Sequence, residues 1–418
     1  MNTFDIALWG PGWASLAGVV IYGILVITRS VRVTRARARL PHRILVTGSR
    51  GKSGTVRLIH AALTGGGFRT YGKITGTIAV ELDTHGNEHE TVRIGVNGTP
   101  EIRDAILRAS QQDAEISVFE CMAVTPALID LVQNQLVKAD VVVIPTIRLD
   151  HLEEEGHTEL EIALNILHSV GRPALIITAI TQPAIRLAYE HYCEAAGIDI
   201  EFVTVPKAAA AILGHHPVNI AIATRVARHY GVLAANAKAG MRAASREPEA
   251  ATIHIWPPTE YPDRTREFAV IDLGGANDPQ SAAEAIDASG IRNFSPNLIP
   301  VIVNRWDRPL RSLSFVHAIR TSAAPVAFVT GTLRSWVARG HAEASSTDAT
   351  IYGLSTWLAS SPTELGSILH EETDVSVGIP TLVLLENVHN GTADALRAML
   401  EEHGETLILD PVKGVRRA

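Results

Sequence analysis

Cysteine is nearly missing from this chain: Cys121 and Cys193 are the only two in 418 residues. Two thiols exclude a disulfide framework and suit the reducing cytosol. There is no internal repeat and no low-complexity tract. With 19% charged and 46% hydrophobic residues, the composition is that of globular domains rather than a disordered chain. A basic surplus is lacking as well. The net charge is −7, and six of the arginines crowd into positions 29–43, so the remainder is more acidic still. Such a surface is poorly suited to the phosphate neutralisation that nonspecific nucleic-acid binding needs, and no nucleic-acid partner is expected.

One further absence is local. No charged residue lies between Trp9 and Thr28, and no Lys or Arg precedes Arg29. Leu16 to Ile27 is strongly apolar, and the uncharged run is long enough to cross a hydrocarbon core of roughly 30 Å. Arg29, Arg32, Arg35, Arg37, Arg39 and Arg43 follow it. By the positive-inside rule that order puts residues 29–418 in the cytoplasm. A cleaved signal peptide would carry its basic residues before the apolar run, and no convincing small-residue cleavage site is visible. Residues 1–40 are therefore expected to form a single-pass transmembrane helix in the cytoplasmic (inner) membrane, with a basic juxtamembrane segment touching anionic lipid.

What is present is concentrated in Gly48, Ser49, Arg50, Gly51, Lys52 and Ser53. The stretch follows the apolar run Ile44–Val46 and precedes a helical pattern at Val56, Leu58, Ile59, Ala62 and Leu63. A strand, a glycine turn carrying Lys-Ser and a helix start make a nucleotide-phosphate cradle. Glycines let backbone N–H groups approach phosphate oxygens, Lys52 reaches the β/γ-phosphates, and Ser53 holds Mg²⁺. Val46 stands where the full phosphate-loop spacing has its first glycine, so this is a shortened variant. The competing reading is an ordinary glycine-rich turn.

Strand-like runs alternate with helical patterns: Ile44–Val46, Ile116–Phe119, Val141–Ile144, Leu175–Thr178 and Phe202–Val205, then a helix from about Asn219 to Tyr230. Continuous β-branched runs between helices signal a mostly parallel sheet covered on both faces. Around Arg246–Arg266, prolines mark a boundary. A second series follows at Phe268–Leu273, Leu298–Val303, Val326–Thr330 and Thr381–Leu385. The expected fold is α/β: a P-loop-type central domain over 41–255 and a smaller Rossmann-like domain over 256–418.

Further polar clusters fall at the C-terminal ends of these strands, where open α/β sheets place ligands. Glu120, leaving a buried strand, reads as a Mg²⁺ ligand or base, or else as a helix cap; Cys121 beside it reads as a packing residue. Asp150-His151 offers a second metal site, and Glu153, Glu154 and Glu155 read as a solvated helix start. Lys73, Thr75 and Thr77 lie in a glycine-bearing polar loop suited to phosphate or carboxylate, or to no ligand. Beyond the boundary come Asn277-Asp278, Asn304–Arg308 and Asn387–Gly391. Arg305 and Arg308 suit bidentate carboxylate binding or, equally, surface ion pairs with Asp307.

Together these pieces resemble the Mur ligase superfamily, most closely the ligase subunit of poly-γ-glutamate synthase (the CapB/PgsB type). The matching stretches run in order: Gly48–Ser53, Gly72–Thr77, Glu120–Val124, Asp150-His151, Asn219, Asn277-Asp278 with Ser281, Asn304–Arg308 and Asn387–Gly391. The resemblance implies an ATP-dependent carboxylate–amine ligase working through an acyl phosphate, with ATP and Mg²⁺ as cofactors and glutamate joined into a γ-linked polymer at the membrane. It implies that Lys52, Glu120 and His151 are catalytic, with Ser53, Glu120 and His151 holding metal. Asn219 would lie by the adenine and Asp278 by the ribose. Lys73, Thr75, Thr77, Arg305, Arg308 and His389 would bind substrate. Implied partners are the growing polymer, multi-spanning membrane subunits of a synthase and export complex, and a second copy of the chain. Thr252 stands where the synthase subunit usually has Arg, and Thr146 and Leu149 stand where it has Asn and Glu. Two other readings stay open: a membrane-tethered P-loop ATPase or kinase, and a nucleotide-binding subunit without turnover in a capsule-synthesis complex.

Overall fold

The computed structural model describes residues 3–76, 79–91, 99–150, 154–205, 215–244, 252–256, 267–276, 278–289, 298–306, 308–320, 326–337, 350–354, 361–372, 380–386, 391–403, 405–410 and 414–417. The chain divides into two compact units. One comprises Met1–Ile147, Leu160–Ala209 and Pro217–Ala244; the other comprises Arg148–Glu159, Ala210–His216 and Ser245–Ala418. Most of the Pro-rich boundary segment, 245–251 and 257–266, lies outside the described residues.

In the first unit the elements are α1 (Thr3–Ala38), β1 (His42–Val46), α2 (Lys52–Gly65), β2 (Thr70–Ile74), β3 (Val80–Leu82), β4 (Glu88–Glu90), α3 (Thr99–Gln111), β5 (Ile116–Glu120) and α4 (Pro126–Asp130). A π-helical turn, Leu131–Val137, follows, then β6 (Val141–Ile144), α5 (Glu159–Ser169), β7 (Leu175–Thr178), α6 (Pro183–Ala196), β8 (Asp199–Phe202), α7 (Pro217–His229) and α8 (Ala234–Ala243). The sheet order is β4-β3-β2-β5-β1-β6-β7-β8. Neighbours from β2 to β8 run parallel, while β3 and β4 are antiparallel additions. The central strands are buried on both faces, as their unbroken apolar runs require. On one face Leu45, Phe119, Val142 and Ile176 meet a stripe of α3, Ile102, Ala105, Ile106 and Ala109, at the spacing of an amphipathic helix. On the other face α2 packs against α7 and α8. The edge strand expected at Phe202–Val205 is displaced to Asp199–Phe202. Pairing on one side only, with β7, it tolerates Asp199 and Glu201, which hid it from an apolar search.

The second sheet holds β9 (Thr252–Trp256), β10 (Phe268–Leu273), β11 (Leu298–Asn304), β12 (Val326–Gly331), β13 (Thr350–Leu354), β14 (Thr381–Leu385), β15 (Glu405–Asp410) and β16 (Gly414–Arg417), with α9 (Pro279–Ser289) and α10 (Pro309–Arg320) among its helices. The order is β13-β12-β11-β14-β10-β9-β15-β16. It is parallel from β13 to β10 and antiparallel from β10 to β16. Both sheets are thus mixed: parallel pairs predominate, as the sequence pattern suggested, and antiparallel strands are added at one end of each. The short antiparallel strands carry too little apolar periodicity to register. Thr252 lies on β9, opposite Asp272.

The N-terminal helix differs from expectation at its end. Within α1, Ser15–Ala38 is long and apolar enough to cross a membrane, and only 6% of that window is buried. The helix then continues onto the first unit. Val33, Ala36 and Leu40 are buried in its core, and the helix packs on α3 and the π-helical turn. Arg29 pairs with Asp104 at 2.9 Å. Arg37 donates to the carbonyls of Gln135 and Leu136. Arg43 pairs with Asp140 and donates to the carbonyls of Leu40 and Lys138. Three of the six arginines therefore serve the protein rather than lipid.

Candidate active site

β1 ends between β5 and β6 in the middle of the first sheet, and the chain turns there into α2. Open α/β sheets offer a ligand crevice at such strand ends. Gly51, immediately before α2, has φ +77°, and a Cβ there would lie 2.8 Å from Asn219 Oδ1. Only glycine makes that turn without strain. The loop is stitched to the residue after β6. The Ser49 N–H donates to the Thr146 carbonyl at 3.3 Å, and the Thr146 hydroxyl donates to the Arg50 carbonyl at 3.2 Å. Thr146 thus supports the loop, a role its place in the sequence did not suggest. Lys52 lies back across the turn, its ammonium donating to the Gly48 carbonyl at 2.6 Å and to the Ser49 carbonyl at 3.4 Å. Orphan N–H groups in the first turn of α2, the helix dipole and this ammonium together make an anion cradle.

Beside it stands Glu120, the last residue of β5 and only 2% exposed. Its Oε1 accepts from the Ser53 hydroxyl at 2.9 Å and its Oε2 from the Thr75 N–H at 2.6 Å. Gly76 borders the same pair: a Cβ on it would lie 2.8 Å from Ser53 Oγ. A hydroxyl and a carboxylate side by side, with only a glycine packed against them, suit Mg²⁺. That ion takes one or two protein oxygens and completes its shell with phosphate and water. No cluster of three or more His, Cys, Asp or Glu converges among the described residues, so the fit rests on Ser53 and Glu120. His151, Thr77 and His389 lie outside the described residues. Cys121 is buried, which pushes its thiol up to about 11 and keeps it protonated.

Several candidate residues stand elsewhere than a polar-loop reading places them. Lys73 is not in a loop. It sits on β2, 1% exposed, with its ammonium 3.8 Å from both Glu81 and Glu101 and donating to the Thr91 hydroxyl at 2.8 Å. A β-strand buried on both faces must neutralise any charge it carries inward, and the two glutamates do so for this ammonium. Asn219 is buried in the first turn of α7, its amide oxygen accepting from the Thr55 hydroxyl at 3.1 Å. It is therefore engaged with the start of α2. Glu155 is buried rather than solvated, and the helix expected at the glutamate run begins only at Glu159.

In the second unit Asp278 caps α9. Its carboxylate accepts from the Ser281 N–H at 2.8 Å and the Ser281 hydroxyl at 2.6 Å. Arg305 is exposed at the end of β11. Arg308 faces Glu154 at 3.5 Å. Two neighbours escaped the sequence reading. Arg311, one helical turn from Arg308, pairs with Asp150 at 2.8 Å, and the two side chains are 12% and 5% exposed. Glu386 follows β14 directly with φ +81°, and both its oxygens accept from the Ser312 hydroxyl, at 2.7 and 3.0 Å. Burial pushes its carboxyl up to about 8, with Ser312, Arg311 and Arg305 opposing the shift. The signal that marked Glu120, a carboxylate leaving a buried strand, marks Glu386 equally.

The Mur ligase middle domain family matches residues 46–191, and the C-terminal domain of poly-γ-glutamate synthase CapB matches residues 259–403. The capsule biosynthesis protein CapB of Bacillus anthracis is 27% identical over 305 residues, 69% of this chain and 65% of that protein. The PGA synthase CapB of Bacillus subtilis (strain 168) is 32% identical over 149 residues, 35% of this chain and 37% of that protein. The matched stretches thus span less than two thirds of either relative. Among solved structures, the folylpolyglutamate synthase of Mycobacterium tuberculosis complexed with ADP and AMPPCP superposes with a TM-score of 0.62 at 14% identity, over 92% of this chain and 98% of that one. That likeness shows the fold. With family matches on both units, and a phosphate loop, Glu120 and a mixed sheet in the arrangement described, the chain belongs to the Mur ligase superfamily.

Proposed function

We propose that this protein is an ATP-dependent carboxylate–amine ligase that works through an acyl phosphate and joins glutamate into a γ-linked polymer at the membrane. The observation that carries the reading is the junction of Ser53, Glu120 and the Thr75 N–H beside the Lys52 loop. It offers one cation, one carboxylate and a row of N–H donors at a single strand end. Bound ATP and Mg²⁺ would supply the phosphoryl group and neutralise its charge. The chain's own residues hold and orient. The loop N–H groups and the α2 N-terminus receive phosphate oxygens, Lys52 adds positive charge where negative charge develops, and Ser53 with Glu120 holds the metal. The CapB relatives support glutamate as substrate, and the exposed apolar helix supports a single-pass anchor with both units in the cytoplasm. Multi-spanning membrane subunits are the fitting partners for a polymer made there.

Product analysis of the full chain in detergent, with ATP and labelled glutamate, tests the reading. A γ-linked product with phosphate release that depends on the amino acid is expected. Phosphate release without an acceptor would point to an ATPase instead, and nucleotide binding without turnover to an assembly subunit. Lys52→Ala should lower amide formation by at least about a hundredfold, comparable to the loss of one preorganised charge-stabilising donor.

A further inference from the structure

The six arginines after the apolar run do not share one role. Val33 and Ala36 on α1, with Leu40 just past its end, form the stripe buried in the first unit. Arg29 and Arg37 flank that stripe and bond Asp104 and the carbonyls of Gln135 and Leu136. Arg43, just beyond, bonds Asp140. Arg32, Arg35 and Arg39 lie one position before each buried residue, so they line up on an adjacent stripe. All three are exposed. None of the three side chains has a hydrogen bond or ion pair among the described residues.

The helix carries no break between the apolar run and this segment. The exposed apolar side chains run from Leu16 to Ile27 on every side of the helix, and Arg29 follows two residues later. At about 1.5 Å per residue, Arg32 and Arg35 stand roughly 4 to 9 Å beyond Arg29. Arg39 stands roughly 15 Å beyond it, for a helix normal to the membrane. The headgroup layer is about 5 to 7 Å deep per leaflet, and a charge is felt over about 8 Å more at physiological salt. Arg32 and Arg35 therefore fall within reach of lipid phosphates, and Arg39, one residue past the end of α1, reaches that zone with its long side chain extended back along the helix. The Arg29–Asp104 pair fixes α3 at the same height.

We propose that Arg32, Arg35 and Arg39 form a binding stripe for anionic phospholipid headgroups, while Arg29 and Arg37 lock the same helix to the first unit and Arg43 bonds the start of β1 to Asp140. The anchor is then a rigid post that holds the first unit at a set height, with the α3 side nearest the bilayer. This rests on the membrane-anchor reading above and goes beyond it in dividing the arginines.

The test uses the full chain in liposomes of phosphatidylcholine containing phosphatidylglycerol. Spin-labelled lipids report which headgroup is enriched in the shell around the helix. Wild type should enrich phosphatidylglycerol over phosphatidylcholine about fivefold or more, the effect expected of even one surface arginine. R32Q/R35Q/R39Q should fall to near parity, and R32K/R35K/R39K should keep most of the enrichment. R29Q/D104N, which removes a protein-internal pair without changing net charge, should behave as wild type. Unchanged selectivity in the triple glutamine variant overturns the proposal, as does equal loss in R29Q/D104N. Extraction of wild type by alkaline carbonate would instead overturn the anchor itself, so the two failures are distinguishable.

Discussion

At the scale of single residues, two carboxylates at strand ends divide the chemistry. Glu120 is buried among donors, whereas burial pushes the Glu386 carboxyl up against the opposing pull of Ser312, Arg311 and Arg305. Because the folded-state pKa of Glu386, about 8, lies above that of an unfolded glutamate, the folded state binds the extra proton. The stability tied to that proton is fully present below the unfolded pKa and is lost as pH rises to about 8. Melting of wild type should therefore drop in temperature from pH 5 to pH 8, and Glu386→Gln should flatten that slope. Equal slopes for the two proteins would show that Glu386 is charged throughout. Lys73 gives a second residue-level expectation. Lys73→Met leaves Glu81 and Glu101 without their shared ammonium and should cost about 3–5 kcal/mol, the usual result of breaking a buried ion pair. Thermal unfolding would read that loss. A normal melting temperature with a raised KM for the amino acid would return Lys73 to the substrate site. Gly76→Ala places a methyl 2.8 Å from Ser53 Oγ and should raise the Mg²⁺ concentration needed for half-maximal activity while leaving the melting temperature nearly unchanged.

At the scale of elements, the end of α1 matters most. The sequence separates its apolar first part from its arginine-rich last part by charge, but carries no sign that the last part docks on protein. Tertiary contact shows the docking, because Val33, Ala36 and Leu40 are buried while Leu16 to Ile27 are not. Removal of residues 1–28 should leave a soluble protein with a near-normal melting temperature. Removal of residues 1–40 takes away the docked stripe as well. Burying a leucine side chain contributes about 1.5–3 kcal/mol, so the longer truncation should melt several degrees lower. Identical melting curves for the two truncations would mean the docked stripe adds nothing. The antiparallel strands β3, β4, β15 and β16 belong to the same lesson. β3 has three residues, β4 and β16 are edge strands and β15 lies next to one, and strands near an edge need no apolar run on both faces. The parallel strands β1, β5, β6, β7, β10, β11, β12 and β14 stood out in the sequence because double burial forces continuous apolar residues.

For the whole molecule, the segment Arg148–Glu159 leaves the first sheet yet clusters with the second unit. Arg148 pairs with Glu284, Asp150 with Arg311 and Glu154 with Arg308. The sequence named neither Arg311 nor Arg148 and left Arg308 between a substrate carboxylate and a surface ion pair, because charge pairs more than a hundred residues apart leave no local mark. The phosphate loop was legible for the opposite reason. Gly48–Ser53, the strand before it and the helix after it are contiguous, so backbone chemistry and spacing suffice to identify it. By itself, then, the sequence determined the apolar span of α1, eight of the parallel strands, the phosphate loop with Lys52 and Ser53, and Glu120 at a strand end. All of these are set by local propensity or by burial on two faces. Only the tertiary structure decided that Lys73 is a buried strand residue beside two glutamates, that Asp150 answers Arg311, that Glu386 is a strained and buried acid with a raised pKa, and that three of the six arginines are bound to protein. Those outcomes depend on which distant charge or carbonyl comes within about 3 Å, and chain folding alone sets that distance.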